Sequence, residues 1–372
     1  MEILIPTIAS FIFTLIITPF VIKFAKINKL VDDPKKRPHP AHVQTRVIPR
    51  AGGLAIYLGI IISSLIFIPI QKYLIGIFAG ITLLLLIGIA DDKAIKFSPY
   101  LRLFLLFIAA CFAVGAGIGI SFIANPLAFF PFLPLSLTAP IIRLDEIIYT
   151  FNFFGAHNII LIADIFAIFW IVALTQIINW SKGVDGQMPG ITLVTAIILG
   201  LLSLKFFFQG DINQLNIAKL SFITAGVSAG FLVFNWYPSK ILPGFSGSTI
   251  LAFMLAILAI LSGAKVATAL LVLAVPAIDF IYIFFKRIIS GKSPVWGDRN
   301  HLHHKLLDLG WSHQKISLFY ILVSVMLGAV ALLVGPELKL FAIIIVVLLF
   351  AGFILWLNSF GDYCEPQGQD NG

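Results

Sequence analysis

Long apolar stretches alternate with short polar loops along almost the whole chain. A helix needs about 20 mostly apolar residues to cross the hydrocarbon core of a bilayer. Eleven stretches of this kind, with few or no charges, occur at 3–22, 51–71, 73–90, 103–123, 162–180, 188–204, 220–236, 249–264, 266–285, 316–335 and 340–358. The pattern predicts an all-α, polytopic membrane protein whose eleven transmembrane helices form one bundle over residues 1–358.

Two segments do not follow this pattern. Residues 124–161 begin with several prolines and then alternate between apolar and polar positions around Asn152 and Gly155. Such alternation about a turn is typical of a β-hairpin, and we expect a small one on the extracytoplasmic surface. Residues 359–372 are polar and contain Gly, Pro and Gln, which predicts a disordered cytoplasmic tail.

Composition and charge support a membrane protein. Hydrophobic residues make up 60% of the chain and charged residues 11%, whereas soluble domains are about a quarter charged. When the loops are assigned alternately to the two sides, 19 of the 25 basic residues fall on one side. Since cytoplasmic loops carry the excess of Lys and Arg, we expect a multi-pass protein of the plasma (inner) membrane with its N-terminus outside. The net charge of +8 then reflects topology and contact with anionic membrane lipid, and not nucleic-acid binding.

The cytoplasmic loops, near 23–50, 91–102, 179–187, 234–248 and 286–315, hold nearly all the polar side chains of chemical interest. Asp91 and Asp92 end the third apolar stretch. Two adjacent carboxylates at a membrane border are costly unless they face water, a cation or basic partners. They are therefore either a charge pair at the interface, or a metal ligand or general base acting on phosphate.

Two further loops carry glycines beside polar side chains. In Asn179-Trp-Ser-Lys-Gly-Val-Asp-Gly186, the glycines permit a tight turn, and Asn179 and Asp185 offer an amide and a carboxylate to a polar ligand. In the loop at 234–248, Asn235 precedes a Gly-Ser-rich helix start whose backbone N–H groups can bind a phosphate. The alternatives are a plain polar turn and an amphipathic loop lying on the membrane.

The last basic loop contains Asp298-Arg-Asn-His-Leu-His-His-Lys305. His301, His303 and His304 do not share one helical face, so tetrahedral zinc ligation is less favoured than donation to a phosphate. Arg299 beside them also favours an anion site.

Together these loops resemble the polyprenyl-phosphate N-acetylhexosamine-1-phosphate transferase family, and the likeness covers most of the chain. The histidine stretch is closer to the N-acetylglucosamine-1-phosphate branch than to the muramoyl-pentapeptide branch. The motifs that carry the resemblance are Val31-Asp-Asp-Pro34, Ile48-Pro-Arg-Ala-Gly-Gly53, Asp91-Asp92, Gly183-Val-Asp-Gly186, Phe234-Asn235 with Pro238, Gly247-Ser248, and Asp279 followed by His301-Leu-His-His304.

The resemblance implies transfer of a sugar-1-phosphate from a UDP-sugar to polyprenyl (undecaprenyl) phosphate, with release of UMP, at the start of cell-envelope glycopolymer synthesis. It assigns Asp91 and Asp92 to catalysis and, with Asp185, to Mg²⁺. A homodimer is compatible with the sequence. The substrate-binding roles fall on Arg46, Arg50, Asn179, Asp185, Asn235, Arg299, His301, His303 and His304.

Two positions depart from the family pattern. Lys182 and Phe245 stand where the family commonly has acids, and the second is the position at which the family holds its magnesium. Lys182 can offset part of the diphosphate charge that a metal would otherwise neutralise. Two alternatives stay open: a non-catalytic scaffold that binds lipid phosphate or nucleotide-sugar, and a transporter, which requires buried charges near mid-span.

Overall fold

A computed structural model describes residues 1–35, 44, 46–93, 98–125, 128, 139, 141–152, 156–263, 266–293 and 299–364. Helices dominate this part of the chain. In order they are α1 (Leu4–Ile27), α2 (Gly52–Phe67), α3 (Lys72–Lys93), α4 (Pro99–Gly115), α5 (Leu161–Trp180), α6 (Gln187–Phe208), α7 (Gln214–Asn235), α8 (Gly244–Leu261), α9 (Val266–Val272), α10 (Ala274–Ile289), α11 (Leu302–Asp308), α12 (His313–Leu333) and α13 (Pro336–Cys364).

Each of the eleven predicted apolar stretches overlaps a helix in the structure, although the stretch at 103–123 is helical only to Gly115, and the polytopic α-helical fold is confirmed. Within the described residues, eight helices are long and apolar enough to cross a membrane. The stretch at 266–285 forms α9 and α10, which meet at an angle of 86° and count as a ninth span if taken together. The helices α2 and α4 are apolar but shorter, with 16 and 17 residues.

Helix α8 is the centre of the bundle. Almost every side chain from Gly244 to Ile260 is buried, and the helix contacts α2, α3, α5, α6 and α7. Gly53 of α2 and Gly88 of α3 lie directly against Ser246, where a side chain on either glycine would overlap it. Small residues at such contacts allow helix backbones to approach closely, and here they bring the start of α8 against the end of α3.

Within the described ranges, three small antiparallel sheets accompany the helices. Strand β1 (Val31–Asp32) pairs with β2 (Ile48–Pro49), β3 (Phe122–Ala124) with β4 (Ile141–Arg143), and β5 (Ile148–Asn152) with β6 (Ala156–Ile160). In the last pair Ile148 lies opposite Ile160, which confirms the predicted hairpin. Gly155 of its predicted turn lies outside the described residues.

The C-terminal boundary differs from the prediction. Helix α13 continues to Cys364, so the predicted disordered tail at 359–372 is wrong for its first residues. Residues 365–372 lie outside the described part of the chain.

Candidate active site

The carboxylates of Asp91 and Asp92 lie at the C-terminal end of α3, buried and paired with basic residues. Asp92 accepts hydrogen bonds from the backbone N–H of Phe245 and from the hydroxyl of Ser246, both at 3.1 Å. The Nε of Arg50 lies 2.9 Å from the same carboxylate. Asp91 is paired with Arg102 at the start of α4, and Nη2 of Arg50 is 3.8 Å away. The acid pair is therefore bound to arginines from two other segments.

The cations of this group are more exposed than the acids. The side chains of Arg50 and Arg102 are 23% and 33% exposed, whereas those of Asp91 and Asp92 are 1% and 0% exposed. An approaching ligand therefore meets guanidinium groups before it meets carboxylates. Such a surface attracts anions, and phosphate is the anion that arginine forks fit best.

Lys182 adds a third cation from the turn between α5 and α6. Its Nζ donates to Oδ1 of Asn179 at 2.7 Å and to the hydroxyl of Ser248 at 3.0 Å. The same Nζ lies 5.6 Å from the ring centre of Phe245, and Cζ of Arg102 lies 5.2 Å from it, both within the range of cation–π attraction. Burial of the ammonium group, aided by the charge of Arg50, lowers the pKa of Lys182 to about 7.

Asp185 and Asn235 connect the second and third loops to their surroundings. The Asn235 side chain accepts from the Gly186 N–H at 3.0 Å and donates to the Ile241 carbonyl at 2.9 Å. The Asp185 carboxylate accepts from Gln44 Nε2 at 2.5 Å and from the Ser239 N–H at 3.1 Å. Both side chains thus hold loops in position.

The histidine stretch is fixed by Asp279 of α10. The Asp279 carboxylate accepts from the Leu302 N–H at the start of α11 and lies 2.8 Å from Nδ1 of His301. An ionised carboxylate can only accept, so Nδ1 carries the proton. Burial lowers the pKa of His303 well below its ordinary value and that of His304 to about 4, which keeps both rings neutral near pH 7.

His303 joins this stretch to the second loop. Its ring lies parallel to that of His301, with centres 5.5 Å apart, and directly over the Cα of Gly183, where a side chain would overlap the imidazole. Residues that are 120 positions apart in the sequence are thus in contact. The ends of α3, α5 and α7, the starts of α4, α6, α8 and α11, and Asp279 in the first half of α10 meet at this one end of the bundle.

Comparison with known proteins agrees with this arrangement. Residues 74–263, just over half of the chain, match the family described as Glycosyl transferase family 4. The chain belongs to this family. The resemblance inferred from the loop motifs is confirmed, and the matched region runs from α3 to the end of α8.

Among similar proteins, the probable undecaprenyl-phosphate N-acetylglucosaminyl 1-phosphate transferase of Bacillus subtilis (strain 168) is 26% identical over 93% of this chain and 90% of its own length. The decaprenyl-phosphate N-acetylglucosaminephosphotransferase of Mycolicibacterium smegmatis is 26% identical over 83% of this chain and 78% of its own. The phospho-N-acetylmuramoyl-pentapeptide-transferase of Orientia tsutsugamushi is 24% identical over 87% and 90%. These values support the N-acetylglucosamine branch of the family.

The structure brings together most, but not all, of the sequence-predicted residues. Arg50 joins Asp91 and Asp92, and Asn179 joins them through Lys182. His301 and His303 lie beside the second loop. Arg299, by contrast, lies on the surface 2.8 Å from Asp308, and Arg46 is exposed.

Sequence reasoning assigned no role to two residues of this site, Arg102 and Asp279, although Asp279 is one of the positions that carry the family resemblance. Arg102 lies at the start of the helix that follows Asp92 after a short loop, and a cation placed there is able to meet the end of the preceding helix. Asp279 is a single carboxylate within an apolar stretch, which is a recognised sign of function, but nothing in the sequence identifies His301 as its partner.

The fit of magnesium to these residues can be tested on the donors present. Mg²⁺ needs oxygen ligands in near-octahedral geometry, usually one or two carboxylates with substrate phosphates. Among the described residues no group of three or more His, Cys, Asp or Glu side chains is able to hold a metal ion. Asp185 bonds to Gln44 and Ser239, apart from the acid pair, while Asp91 and Asp92 face arginines and the start of α8. In this arrangement the predicted set of Asp91, Asp92 and Asp185 does not fit magnesium.

Proposed function

We propose that this protein transfers an N-acetylhexosamine-1-phosphate from a UDP-sugar to polyprenyl phosphate and releases UMP. The observation that carries the proposal is the convergence of two partly exposed arginines, Arg50 and Arg102, and the buried Lys182 around a buried acid pair, in a member of a family whose similar proteins are named for this transfer. N-acetylglucosamine is the first sugar to test, since it is the sugar in the names of two of those relatives.

The reaction needs no covalent enzyme intermediate. An oxygen of the polyprenyl phosphate attacks the phosphorus atom that carries the sugar, and a new P–O bond forms. The bond from that phosphorus to the bridging oxygen breaks, and UMP leaves with this oxygen. The products are UMP and a polyprenyl diphosphate sugar. Both reactants are anionic, so charge neutralisation and alignment supply most of the catalysis.

Each group of the site has a part in this scheme. The two anions are attracted and brought together by Arg50, Arg102 and Lys182. The buried carboxylates of Asp91 and Asp92 hold the two guanidinium groups in position. Asp185 and Asn235 hold the second and third loops against each other through their hydrogen bonds to Ser239 and Gly186. His301, held by Asp279, and the neutral His303 offer ring nitrogens to the diphosphate or the sugar.

The location follows from the same reasoning. The chain is a multi-pass membrane protein, and the excess of basic residues lies at the end of the bundle that holds the site. We place this end in the cytoplasm, at the plasma membrane, where water-soluble UDP-sugars and a lipid phosphate are able to meet.

The test uses purified protein, undecaprenyl phosphate and a panel of UDP-sugars, with UMP and the lipid product measured together. We expect at least one sugar to give both products, and Asp92→Asn to abolish them because Arg50 then loses its main anchor. Asp211→Asn, an exposed site in the loop between α6 and α7, is the matched control and should keep the parent rate. A folded parent that binds UDP-sugar or lipid phosphate but releases no UMP with any sugar would favour a scaffold and overturn the proposal.

A further inference from the structure

The residues around the acid pair are balanced in charge. Arg50 lies between Asp92 and Asp32, at 2.9 and 3.5 Å, and Arg102 pairs with Asp91. The ammonium of Lys182 has the neutral oxygens of Asn179, Ser248 and Gly244 within 3.5 Å. Among the residues that the structure describes, three acids and three cations therefore make up this group, and in this part of the chain it lacks the net negative charge that draws a divalent cation.

Phe245 keeps two of these cations next to each other. Its ring is buried, with 4% of the residue exposed, and it contacts the guanidinium of Arg102 and the ammonium of Lys182. A carboxylate at this position would neutralise one of them. An aromatic ring instead attracts both cations through its electron-rich face and adds no negative charge beside them.

The approach to the group is suited to an oxyanion. The acids are covered, and the partly exposed side chains of Arg50 and Arg102 form its outer surface. An arginine fork binds two phosphate oxygens at once, and a lysine supplies a compact point charge next to it. A nucleoside diphosphate carries negative charge on adjacent phosphates, so it suits two such forks and a third cation.

We propose that Arg50, Arg102 and Lys182 bind the diphosphate of the UDP-sugar directly, in the role that a divalent ion would otherwise fill, so that nucleotide binding does not depend on Mg²⁺. This inference rests on the proposed function, whose substrate it uses. Phe245 is then a positioning residue, since it touches the two cations and not the diphosphate.

The experiment is isothermal titration of UDP into the purified full-length protein in nanodiscs, once with EDTA and once with Mg²⁺. We expect dissociation constants that agree within about twofold. Lys182→Met removes the charge but keeps an unbranched side chain, and should weaken binding about tenfold or more, the usual effect of losing a hydrogen bond to a charged group. Lys182→Arg should retain binding in EDTA. Lys205→Met, in the last turn of α6 and exposed, is the matched control.

A second readout follows metal binding itself. Electron paramagnetic resonance of Mn²⁺ in the presence of UDP should show no protein-bound ion in the parent beyond that held by UDP alone. The double variant Lys182→Asp with Phe245→Asp should bind Mn²⁺, because it removes a cation and supplies two carboxylates. Thermal unfolding of each variant establishes that it is folded before either measurement is interpreted.

The outcomes separate this inference from the proposed function. UDP binding that falls more than tenfold in EDTA and is indifferent to Lys182→Met overturns the inference, even if UMP is released. Mg²⁺-independent binding that depends on Lys182, in a protein that releases no UMP, supports the inference and overturns the proposed function.

Discussion

The contact between Gly183 and His303 gives the sharpest test of how the site is assembled. A methyl group on Gly183 would lie 2.5 Å from Cε1 of His303 and closer still to Nε2 and Cδ2. Ordinary van der Waals contact between such atoms is about 3.5–4.0 Å. Since His303 is buried and its ring packs between those of His301 and His304, it is not free to swing away.

The size of the effect follows from this geometry. Gly183→Ala must move the ring or the loop by about 1 Å or more. Overpacking of this kind typically costs about 1–3 kcal/mol of stability, and a misplacement of about 1 Å near reacting groups costs roughly 10²-fold in rate. We therefore expect UMP release to fall about 100-fold while the protein remains folded.

The assay compares UMP release and thermal unfolding in parent and variant. The control is Gly115→Ala at the end of α4, where an added Cβ meets no atom within 4 Å, and both properties should stay at parental values. Combining Gly183→Ala with His303→Ala should cost no more stability than His303→Ala alone, because the clash is then absent. If Gly183→Ala is as active and as stable as Gly115→Ala, the second loop and the histidine stretch do not meet as described.

Three further predictions address topology, the Asp279 contact and pH. Single cysteines at Asn300 and Asp211 in a cysteine-free background should react with an impermeant reagent from the cytoplasm and from outside, respectively; the opposite pattern would invert the orientation. Asp279→Asn keeps an acceptor for the Leu302 N–H but loses the one for His301 Nδ1, so UMP release should fall about 10–100-fold. An unchanged rate would show that His301 has no part in the reaction. The lowered pKa of His303 and His304 means that the unfolded chain binds more protons below about pH 6.5. The free energy of unfolding should therefore fall by about 1.4 kcal/mol per pH unit for each histidine as pH drops from about 6.5 to 5. The measurement is the free energy of unfolding in detergent as a function of pH. A value that does not change with pH, or the same pH dependence in the double variant His303→Gln with His304→Gln, would contradict this.

Much of the fold is predictable because long apolar stretches in the sequence identify the membrane-spanning helices. Each apolar stretch contains a helix, and the hairpin near Asn152 followed from simple alternation. The sharp bend between α9 and α10 is not visible in hydropathy, since the chain is apolar on both sides of it. A local signal exists nevertheless: Pro276 lies four residues after Val272, the last residue of α9, and a proline ring clashes with the carbonyl at that spacing.

The site is predictable only in its parts. Asp91, Asp92 and the three histidines stand out because polar groups in such a chain are costly unless they have a function. Their partners depend on which helix ends meet, and this is set by packing of the start of α8 against Gly53 and Gly88. Neither the contact of Arg102 with Asp91 nor the place of Lys182 beside Phe245 is encoded in local spacing.

The fate of the sugar-bearing phosphorus tests the proposed transfer most directly. Purified protein is incubated with undecaprenyl phosphate and UDP-N-acetylglucosamine that carries radioactive phosphorus only in the phosphate next to the sugar, and the lipid extract and the nucleotides are counted. We predict that the label moves into a lipid diphosphate sugar and that one unlabelled UMP appears for each labelled lipid. Label that is released as inorganic phosphate or stays in UDP, or a folded, UDP-binding protein that moves no label from any UDP-sugar, would contradict a phosphoglycosyl transfer at this site.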